Sequence, residues 1–458
     1  MATEVVAPVF DEDVDIMADE IRLVKSKYAF FIDKGDGAYL VYSSLTGAII
    51  AFKEISYIER LQDIMNTDEF IYDENDEILS LFKEKGILID ADTNEDMLVR
   101  LMYDENITKS KTLQLILFMT KQCNFRCAYC FQKQEDIKME MDALQSIIKF
   151  VENQVVNNGY KQVKIDFFGG EPLLEYDSIV WFLKTLHETI ATYNGVELIS
   201  DMTTNAYLLS PDKFDTLFSL GCREYMITID GTEEIHNRMR PLISEEGTWD
   251  VILSNIRYMM STTFDFKIIL RSNYNADVVE TLPEFYRYIS EQFNNDQRIV
   301  IFSANIFGHG NDSMLEIYNK SESDRIEAGI AKIIKELGLT STSPMAMTLP
   351  CSRACHASKQ NSYTFDCDGL IKKCAVMTDL KQNHIGTLGL NGEFKRNSNV
   401  YSKWVCSDYL TERKCKRCKL VPLCFGKKCP LPRVLFGELD CNPSDAEIAI
   451  VELLKAYY

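Results

Sequence analysis

Apolar runs of seven or eight residues recur through the middle of the chain, and each is followed by a stretch with helical periodicity. An alternation of strands and helices predicts a parallel sheet. Six such units follow Lys111, fewer than the eight of a closed barrel. The sequence therefore predicts an α/β fold with a partial, open, TIM-like (β/α)6 barrel. The six strand runs are 112–119, 162–168, 196–202, 223–229, 265–271 and 298–304.

A different pattern precedes the barrel. Three short strand-like runs are separated by the turn-forming sequences KGDG and SLTG, and two helical patterns follow them. This order predicts a small winged-helix-like module over residues 27–110. Residues 1–26 are acidic and weakly patterned, and we expect an arm or a short surface helix there. The strand runs are 28–33, 38–43 and 47–52, and the helical runs are 54–65 and 77–85.

Charge and hydropathy limit the classes of partner that the chain is expected to bind. The chain has 458 residues and a formal net charge of −20, which argues against nucleic acid because phosphate binding needs a basic surface. No signal peptide pattern and no membrane-spanning apolar run occurs, so we expect a soluble, cytoplasmic protein without a membrane partner. Residues 1–110 hold 25 acidic and 10 basic residues, a net charge of −15. That excess is either a solvated surface or a docking surface for a basic segment.

The 14 cysteines are numerous for a reducing compartment, and clustered cysteines there indicate metal or redox chemistry. The segment CNFRCAYC places Cys123, Cys127 and Cys130 just after the first strand of the predicted barrel. Thiolates suit iron–sulfur clusters and zinc. Three cysteines can bind three irons of a [4Fe–4S] cube and leave the fourth iron open for a substrate. A zinc knuckle completed by a distant ligand is the alternative.

Polar and glycine-rich motifs follow the next strands, at the edge where active sites of such barrels lie. FFGGEP (167–172) ends the second strand, and its two glycines would let backbone approach a ligand closely. TTNA (203–206) ends the third strand, TIDGTEEIHNRMRP (228–241) the fourth, and RSN (271–273) the fifth.

C-x3-C-x2-C followed by these motifs resembles the radical S-adenosylmethionine (radical SAM) superfamily. The resemblance implies that the open iron binds the amino and carboxylate groups of S-adenosylmethionine. The reduced cluster then cleaves a C–S bond to give a 5′-deoxyadenosyl radical. Thr228 stands where the S-x-D-G…H-x-x-x-R pattern of peptide-modifying members has Ser, and Arg240 would bind the cofactor carboxylate. The implied cofactor-binding residues are Gly169, Gly170, Glu171, Thr204, Asn205, Thr228, Arg240 and Arg271.

The cysteine-rich end of the chain resembles the SPASM domain of the same superfamily. The resemblance places the radical SAM core at residues 111–310, a helical linker at 311–345 and the SPASM domain at 346–458. It implies two auxiliary [4Fe–4S] clusters, three clusters in all. If only one of Cys351 and Cys355 is a ligand, the first auxiliary cluster has an open iron. The first set is Cys351, Cys355, Cys374 and Cys429, and the second is Cys415, Cys418, Cys424 and Cys441.

Two features qualify that assignment. Cys429 follows Cys424 after four intervening residues, where the family has three. Two zinc ribbons built from the same thiols are the alternative to the clusters. Of the remaining cysteines, we expect Cys222 to be buried and Cys367 to lie in the core. For Cys406 we favour a structural role, and a reactive thiol or an alternative ligand is the alternative.

The whole chain resembles the radical SAM/SPASM maturases of ribosomally made peptides. The resemblance makes residues 27–110 a RiPP recognition element, which binds the leader of a precursor peptide by adding a strand to its sheet. It favours thioether formation, in which an open auxiliary iron would hold the donor thiolate and accept an electron. A reductant such as flavodoxin or ferredoxin is implied. Carbon–carbon or ether cross-linking, epimerisation and residue excision are alternatives.

Two other functions compete with peptide cross-linking. An anaerobic sulfatase maturase shares the core and the SPASM domain but has an Asp after the cysteine matched by Cys374, where this chain has Ala375. A non-catalytic electron carrier would use the clusters alone, and it would have no need of a methionine-binding site.

Overall fold

The computed structural model describes residues 20–306, 318–342 and 346–458. The chain divides into two compact units, Met1–Leu98 and Val99–Tyr458. Much of the predicted arm, part of the predicted linker and the end of the predicted core lie outside the described residues. In the described part of the chain, no helix combines the length and the apolar character needed to cross a membrane.

The first unit contains two small sheets and a set of helices. One sheet has the strand order β2-β3-β4 and the other the order β5-β1-β6, and every pairing in both is antiparallel. The elements are β1 (Arg22–Lys25), β2 (Ala29–Asp33), β3 (Tyr39–Ser43), β4 (Ile49–Phe52), α1 (Ile55–Asn66), β5 (Glu69–Ile71), α2 (Glu77–Glu84), β6 (Leu88–Asp90) and α3 (Glu95–Tyr103), whose end belongs to the second unit.

The strand β1 lies where the sequence predicted an arm. Its Leu23 is fully buried in the core of the first unit, together with Phe52 and Phe82. A four-residue strand that pairs with neighbours about 45 and 65 residues later leaves little trace in local periodicity. The predicted turn chemistry is confirmed, because Gly35 and Gly37 between β2 and β3 have φ angles of +81° and +80°.

The second unit is built on one eleven-stranded sheet, in the order β13-β12-β11-β10-β9-β8-β7-β14-β15-β16-β17. Its strands are β7 (Thr112–Phe118), β8 (Gln162–Phe168), β9 (Glu197–Thr204), β10 (Cys222–Thr228), β11 (Lys267–Tyr274), β12 (Ile299–Asn305), β13 (Thr340–Ser341), β14 (Ser362–Phe365), β15 (Leu370–Lys372), β16 (His384–Leu388) and β17 (Phe394–Arg396).

Helices connect most of these strands. They are α4 (Met141–Asn158), α5 (Tyr176–Ala191), α6 (Pro211–Ser219), α7 (Glu233–Met239), α8 (Trp249–Ser261), α9 (Ala276–Val279), α10 (Leu282–Phe293), α11 (Lys320–Glu336), α12 (Ser398–Val405), α13 (Val421–Cys424), α14 (Leu431–Phe436) and α15 (Pro443–Tyr457).

The strands β7 to β12 are the six that the sequence predicted, and they are mutually parallel. The α/β fold and the largely parallel sheet are therefore confirmed. Alternate residues of β7, among them Leu113 and Leu117, are fully buried in the main core with residues of α4 and α5. Ile116 and Phe118 lie in a separate apolar cluster with Phe168 and Ala375.

The cysteine-rich region continues the same sheet. The strand β14 pairs in parallel with β7, with Ser362 opposite Gln114, and β15, β16 and β17 follow as antiparallel neighbours. Since β7 and β14 run in the same direction, both end at one edge of the sheet. The segment that follows β14 therefore begins at the edge that carries the cysteine loop.

Candidate functional site

The cysteine loop, residues 123–130, is fixed by backbone hydrogen bonds at the end of β7. The amide nitrogens of Arg126 and Ala128 donate to the carbonyls of Pro241 and Met239, each at 2.9 Å. The amide of Phe125 donates to Sγ of Cys123 at 3.4 Å. An amide–sulfur contact of this kind stabilises a thiolate, as an iron ligand requires.

The thiols of Cys123 and Cys127 are protonated at neutral pH when they bind no metal. Burial raises the pKa of Cys123 to about 12 and that of Cys127 to about 11. Iron must therefore displace protons as it binds, and its affinity for the loop increases with pH.

The two glycines of the FFGGEP motif touch the segment that leads from β7 into the cysteine loop. A Cβ at Gly169 would collide with the carbonyl oxygen of Thr120, and one at Gly170 with that of Gln122. The amide of Gly170 also donates to the carbonyl of Thr120 at 2.9 Å. The close approach that the glycines permit is therefore to the chain's own backbone, and not only to a ligand as the sequence suggested.

Glu171 joins the ends of β8 and β9. Its carboxylate is fully buried and accepts hydrogen bonds from Oγ1 of Thr204 and the amide of Asn205, both at 2.7 Å. The amide of Leu173 donates a third hydrogen bond at 3.0 Å. Since protein donors occupy both carboxylate oxygens, Glu171 positions its neighbours.

Asn205 carries this connection into the cysteine loop. Its side-chain amide donates to Oδ1 of Asn124 at 2.8 Å and lies 3.9 Å from Sγ of Cys123. The second and third motifs are thus linked through side chains to the first.

A second hydrogen-bonded group centres on Tyr129, inside the cysteine loop. Its hydroxyl donates to Oδ2 of Asp230 and accepts from Nη1 of Arg240 at 2.8 Å and Nδ2 of Asn273 at 3.0 Å. The amide of Asn273 donates to the other oxygen of Asp230 at 2.8 Å, and Nε of Arg271 donates to Oδ1 of Asn273 at 2.8 Å. The structure therefore brings Arg240 and Arg271 together, as predicted.

Sequence analysis did not identify Tyr129, Asp230 and Asn273 as site residues. Each lies inside a motif that it did single out, and Asp230 is the Asp of TIDG. The available signal was a polar side chain at a strand end, since such side chains converge on one edge of a parallel sheet.

The guanidinium of Arg240 is buried and remains charged. Burial works against it, but Cys127, Tyr129 and Asp230 outweigh burial and raise the pKa of Arg240 above its ordinary value. Arg240 is 7% exposed, and its Nε has no hydrogen-bond partner among the described residues. A buried cation with an unpaired donor fits the carboxylate of S-adenosylmethionine.

His236 positions Arg240. The amide of Asp230 donates to its Nδ1 at 3.1 Å, so Nε2 carries the proton and donates to Oγ1 of Thr248 at 3.0 Å. That hydroxyl donates to the carbonyl of Arg240 at 2.9 Å. Burial, with Arg240 nearby, lowers the pKa of His236 well below its ordinary value, so the ring stays neutral.

The remaining predicted residue of this edge, Thr228, is buried at the end of β10. Most of the predicted cofactor-binding residues therefore end or follow β8, β9 and β10, whereas Arg240 follows α7 and Arg271 lies within β11, opposite Thr228. Their donors and the three thiols suit S-adenosylmethionine and one [4Fe–4S] cluster.

The C-terminal cysteines form two electrostatically coupled groups. Burial raises the pKa of Cys355 to about 11, and the thiols of Cys429 and Cys374 add to the effect. Burial likewise raises the pKa of Cys415 to about 12, and the thiols of Cys424, Cys418 and Cys441 add to the effect.

Cys351 does not belong to the first group, which contains Cys355, Cys374 and Cys429. Its backbone has a φ of +64°, and its amide donates to the carbonyl of Pro422 at 2.9 Å. Burial raises the pKa of its thiol, and Lys359 lowers it, with no thiol contributing among the described residues. The first group therefore contains three thiols, whereas the resemblance implied four.

The thiols of both groups are soft ligands, suited to iron–sulfur clusters and to zinc. In the described ranges, no three His, Cys, Asp or Glu side chains are placed to hold one metal ion. Near Cys415, the guanidinium of Arg433 is largely buried and forms an ion pair with Glu412, with Nη1 3.5 Å from Oε1.

The other cysteines occupy three different settings. Cys222 is fully buried, which confirms the prediction. Cys367, expected in the core, follows β14 in a turn and is partly buried, packed against the main core with Sγ 3.4 Å from Oδ1 of Asp366. The alternation with Phe365 ends with the strand. Cys406 is exposed at the end of α12 and belongs to neither coupled group.

Separate substitution of Cys351 and Cys355 tests the three-thiol group. We expect Cys355→Ala to lose the iron of one cluster, whereas Cys351→Ala should retain the wild-type iron and sulfide content after anaerobic reconstitution. Iron and sulfide analysis with electron paramagnetic resonance (EPR) measures the difference. Equal loss of iron in the two variants would contradict the separation of Cys351.

A family model of the radical SAM superfamily matches residues 117–284. The radical SAM cyclopropyl synthase TigE of Paramaledivibacter caminithermalis is 24% identical over 470 residues, which cover 90% of each chain. A cysteine-type anaerobic sulfatase-maturating enzyme of Clostridium novyi is 23% identical over 342 residues, covering 68% of this chain and 86% of that protein.

Among solved structures, Streptococcus suis SuiB bound to its precursor peptide SuiA has a similar fold. The TM-score is 0.52 at 15% sequence identity, and the similarity covers 92% of this chain and 98% of the SuiB chain.

The matched segment contains the cysteine loop, both glycines of FFGGEP and the group around Tyr129 and Arg240. These are the elements that the structure gathers at the carboxyl edge of the parallel sheet. The chain therefore carries a radical SAM domain within residues 117–284.

Proposed function

We propose that this radical SAM enzyme modifies a ribosomally synthesised precursor peptide, and that the modification is a thioether between a cysteine sulfur and a carbon of another residue. When bound, S-adenosylmethionine supplies the 5′-deoxyadenosyl radical that removes a hydrogen atom from that carbon. The single observation that carries the thioether assignment is the three-thiol group formed by Cys355, Cys374 and Cys429 without Cys351.

Three thiols leave one iron of a cube without a ligand from this chain. A substrate cysteine is a soft donor of the same kind, so its sulfur suits that position. The bond removes one hydrogen from carbon and one from the thiol. One leaves in 5′-deoxyadenosine and the other as a proton and an electron, so the reaction needs an electron acceptor near the substrate, and a cluster at this group would provide one.

The peptide substrate is supported by the likeness along the whole chain to TigE and to SuiB, whose crystallised partner is a precursor peptide. The first unit also offers a place for a leader. Among the described residues β4 pairs only with β3, so its other edge is free to receive a strand.

A groove of about 380 Å³ lies beside β4 and the helices α1 and α2. Its apolar side chains would contact a leader, and its two exposed carboxylates, set against the single cation of Lys53, would favour lysine or arginine there. These residues are Phe52, Tyr57, Ile78 and Leu81, and the acidic ones are Glu54 and Glu77. We therefore assign leader binding to this groove.

Carbon–carbon ring closure is the second candidate, because TigE is a cyclopropyl synthase. Formylglycine formation, the sulfatase-maturase alternative, is less well supported. Ala375, which follows Cys374, lies in an apolar cluster with Ile116 and Phe118, so no carboxylate stands where the sulfatase maturases have their Asp.

The modified peptide distinguishes the two candidates. We expect the precursor peptide encoded beside this gene to lose the mass of two hydrogen atoms and one alkylatable thiol for each bond formed by the reconstituted enzyme. Mass spectrometry before and after thiol alkylation measures both changes. The same mass loss with every thiol still alkylatable would contradict the thioether assignment and support ring closure.

Leader binding can be tested at Tyr57, which is 39% exposed in the groove. Tyr57→Ala removes an aromatic anchor, so we expect roughly tenfold weaker binding of the isolated leader, measured by fluorescence anisotropy. Met97→Ala, at an exposed position of α3 in the same unit, is the matched control and should bind like the wild type. Unchanged affinity in Tyr57→Ala would refute the groove as the leader site.

A further inference from the structure

The parallel sheet of the second unit has two different faces. On β8, Val163, Ile165 and Phe167 are fully buried in the main core together with residues of the surrounding helices. Side chains alternate along a strand, so Phe168 lies on the opposite face of the sheet, the inner face, which is turned away from the main core.

Two of the predicted cofactor-binding residues share this inner face. Ile227 and Leu270 belong to the main core, so the residues that follow them face the other way. These residues are Thr228 and Arg271, which lie opposite each other in the register of β10 and β11. Phe168 is therefore on the same face as part of the predicted cofactor site, and it directly precedes the two glycines of FFGGEP.

Phe168 belongs to the small apolar cluster that contains Ile116, Phe118 and Ala375. Its ring centroid lies 5.0 Å from that of Phe118. The other three members are 3–7% exposed, whereas Phe168 is only partly buried. Ala375 directly follows Cys374, and in the sheet β8 lies between β10 on one side and β15 on the other. The exposed part of the Phe168 ring is thus an apolar surface between the predicted cofactor residues and the first thiol group.

The inner face of β7 and β8 is polar below this cluster, toward the amino ends of the strands. Asp166, two residues before Phe168, accepts a hydrogen bond from Nε2 of Gln114 at 2.8 Å. Lys164, two residues earlier again, forms an ion pair with Asp201. On these two strands the apolar surface is therefore confined to the carboxyl end, where the predicted cofactor residues lie.

Hydrogen abstraction from carbon limits how a substrate can be positioned. A C–H group is not one of the donors by which proteins hold a ligand through strong hydrogen bonds, yet the reacting atoms must be kept about 3–3.5 Å apart. Apolar contact with the side chain that surrounds the carbon is the interaction that remains. The partly exposed ring of Phe168 offers such a contact beside the cofactor residues.

We propose that Phe168 is a specificity-determining residue: its ring contacts the side chain of the acceptor residue, the peptide residue that loses the hydrogen atom, and that side chain is apolar. A polar side chain against the ring would give up hydrogen bonds to water without replacement. This inference rests on the proposed modification of a peptide, and it applies to thioether formation and to ring closure alike.

The test compares precursor peptides that differ only at the acceptor residue, which tandem mass spectrometry of the modified peptide identifies. We expect an apolar residue there in the natural peptide. Its replacement by a polar residue of similar size, such as leucine by asparagine, should lower kcat/KM about thirtyfold with the wild-type enzyme. Replacement by another apolar residue, such as leucine by methionine, should have a much smaller effect.

Variants of the enzyme separate the contact from the reactivity of the C–H bond, because every variant receives the same peptides. Phe168→Gln exchanges the ring for an amide, so we expect the preference for the apolar over the polar peptide to fall about tenfold. Phe168→Leu keeps an apolar contact and should keep the preference. Phe264→Gln is the matched control, because this ring is also partly buried and stacks at 4.3 Å on Phe218, before the amino end of β11.

The outcomes distinguish this inference from the proposed function. A charged or amide side chain at the natural acceptor, or equal kcat/KM of the wild type for apolar and polar acceptors, would overturn the inference without any variant. A wild-type preference in Phe168→Gln with full iron content would overturn it as well. An unmodified precursor, recovered while 5′-deoxyadenosine forms, would overturn the proposed function and this inference with it.

Discussion

The carbonyl oxygens of Thr120 and Gln122 lie where a Cβ at Gly169 or Gly170 would have to sit. This contact holds residues 120–122, which lead into the cysteine loop, against the end of the next strand, and hydrogen bonds through Glu171 and Asn205 connect the loop to the third strand. The relative positions of the loop and the strand ends therefore depend on glycine, which has no Cβ, at both positions. Any larger residue at either glycine would have to displace backbone.

Much of the barrel was predictable because each strand is marked by an apolar run of a few consecutive residues. Apolar runs located β7 to β12 to within a few residues, and the motifs follow those strands directly. The hydrogen-bonded group at Tyr129 was not predicted, because it joins side chains about 100 and 145 positions apart. The pairing of β14 with β7 spans about 250 positions, and strand periodicity contains no information about partners. The assignments to a RiPP recognition element and a SPASM domain remain predictions.

The amino-acid composition does not show how charges are distributed in the cysteine-rich region. The chain is acidic overall, yet buried cations lie beside the thiols: Lys373 near Cys355 and Arg433 near Cys415. Two adjacent lysines have different partners: Lys372 pairs with the carboxylates of Asp366 and Asp368, whereas Lys373 donates to two backbone carbonyls. Only the fold distinguishes the two.

The central claim is that the cysteine loop and the carboxyl ends of the neighbouring parallel strands form a site that binds and cleaves S-adenosylmethionine. The most direct measurement is the formation of 5′-deoxyadenosine by anaerobically reconstituted protein supplied with S-adenosylmethionine and dithionite. The account predicts this product in the wild type and its absence when Arg240, the buried cation of the edge, is replaced by Leu. No 5′-deoxyadenosine from fully reconstituted wild-type protein would contradict the account and favour an electron carrier.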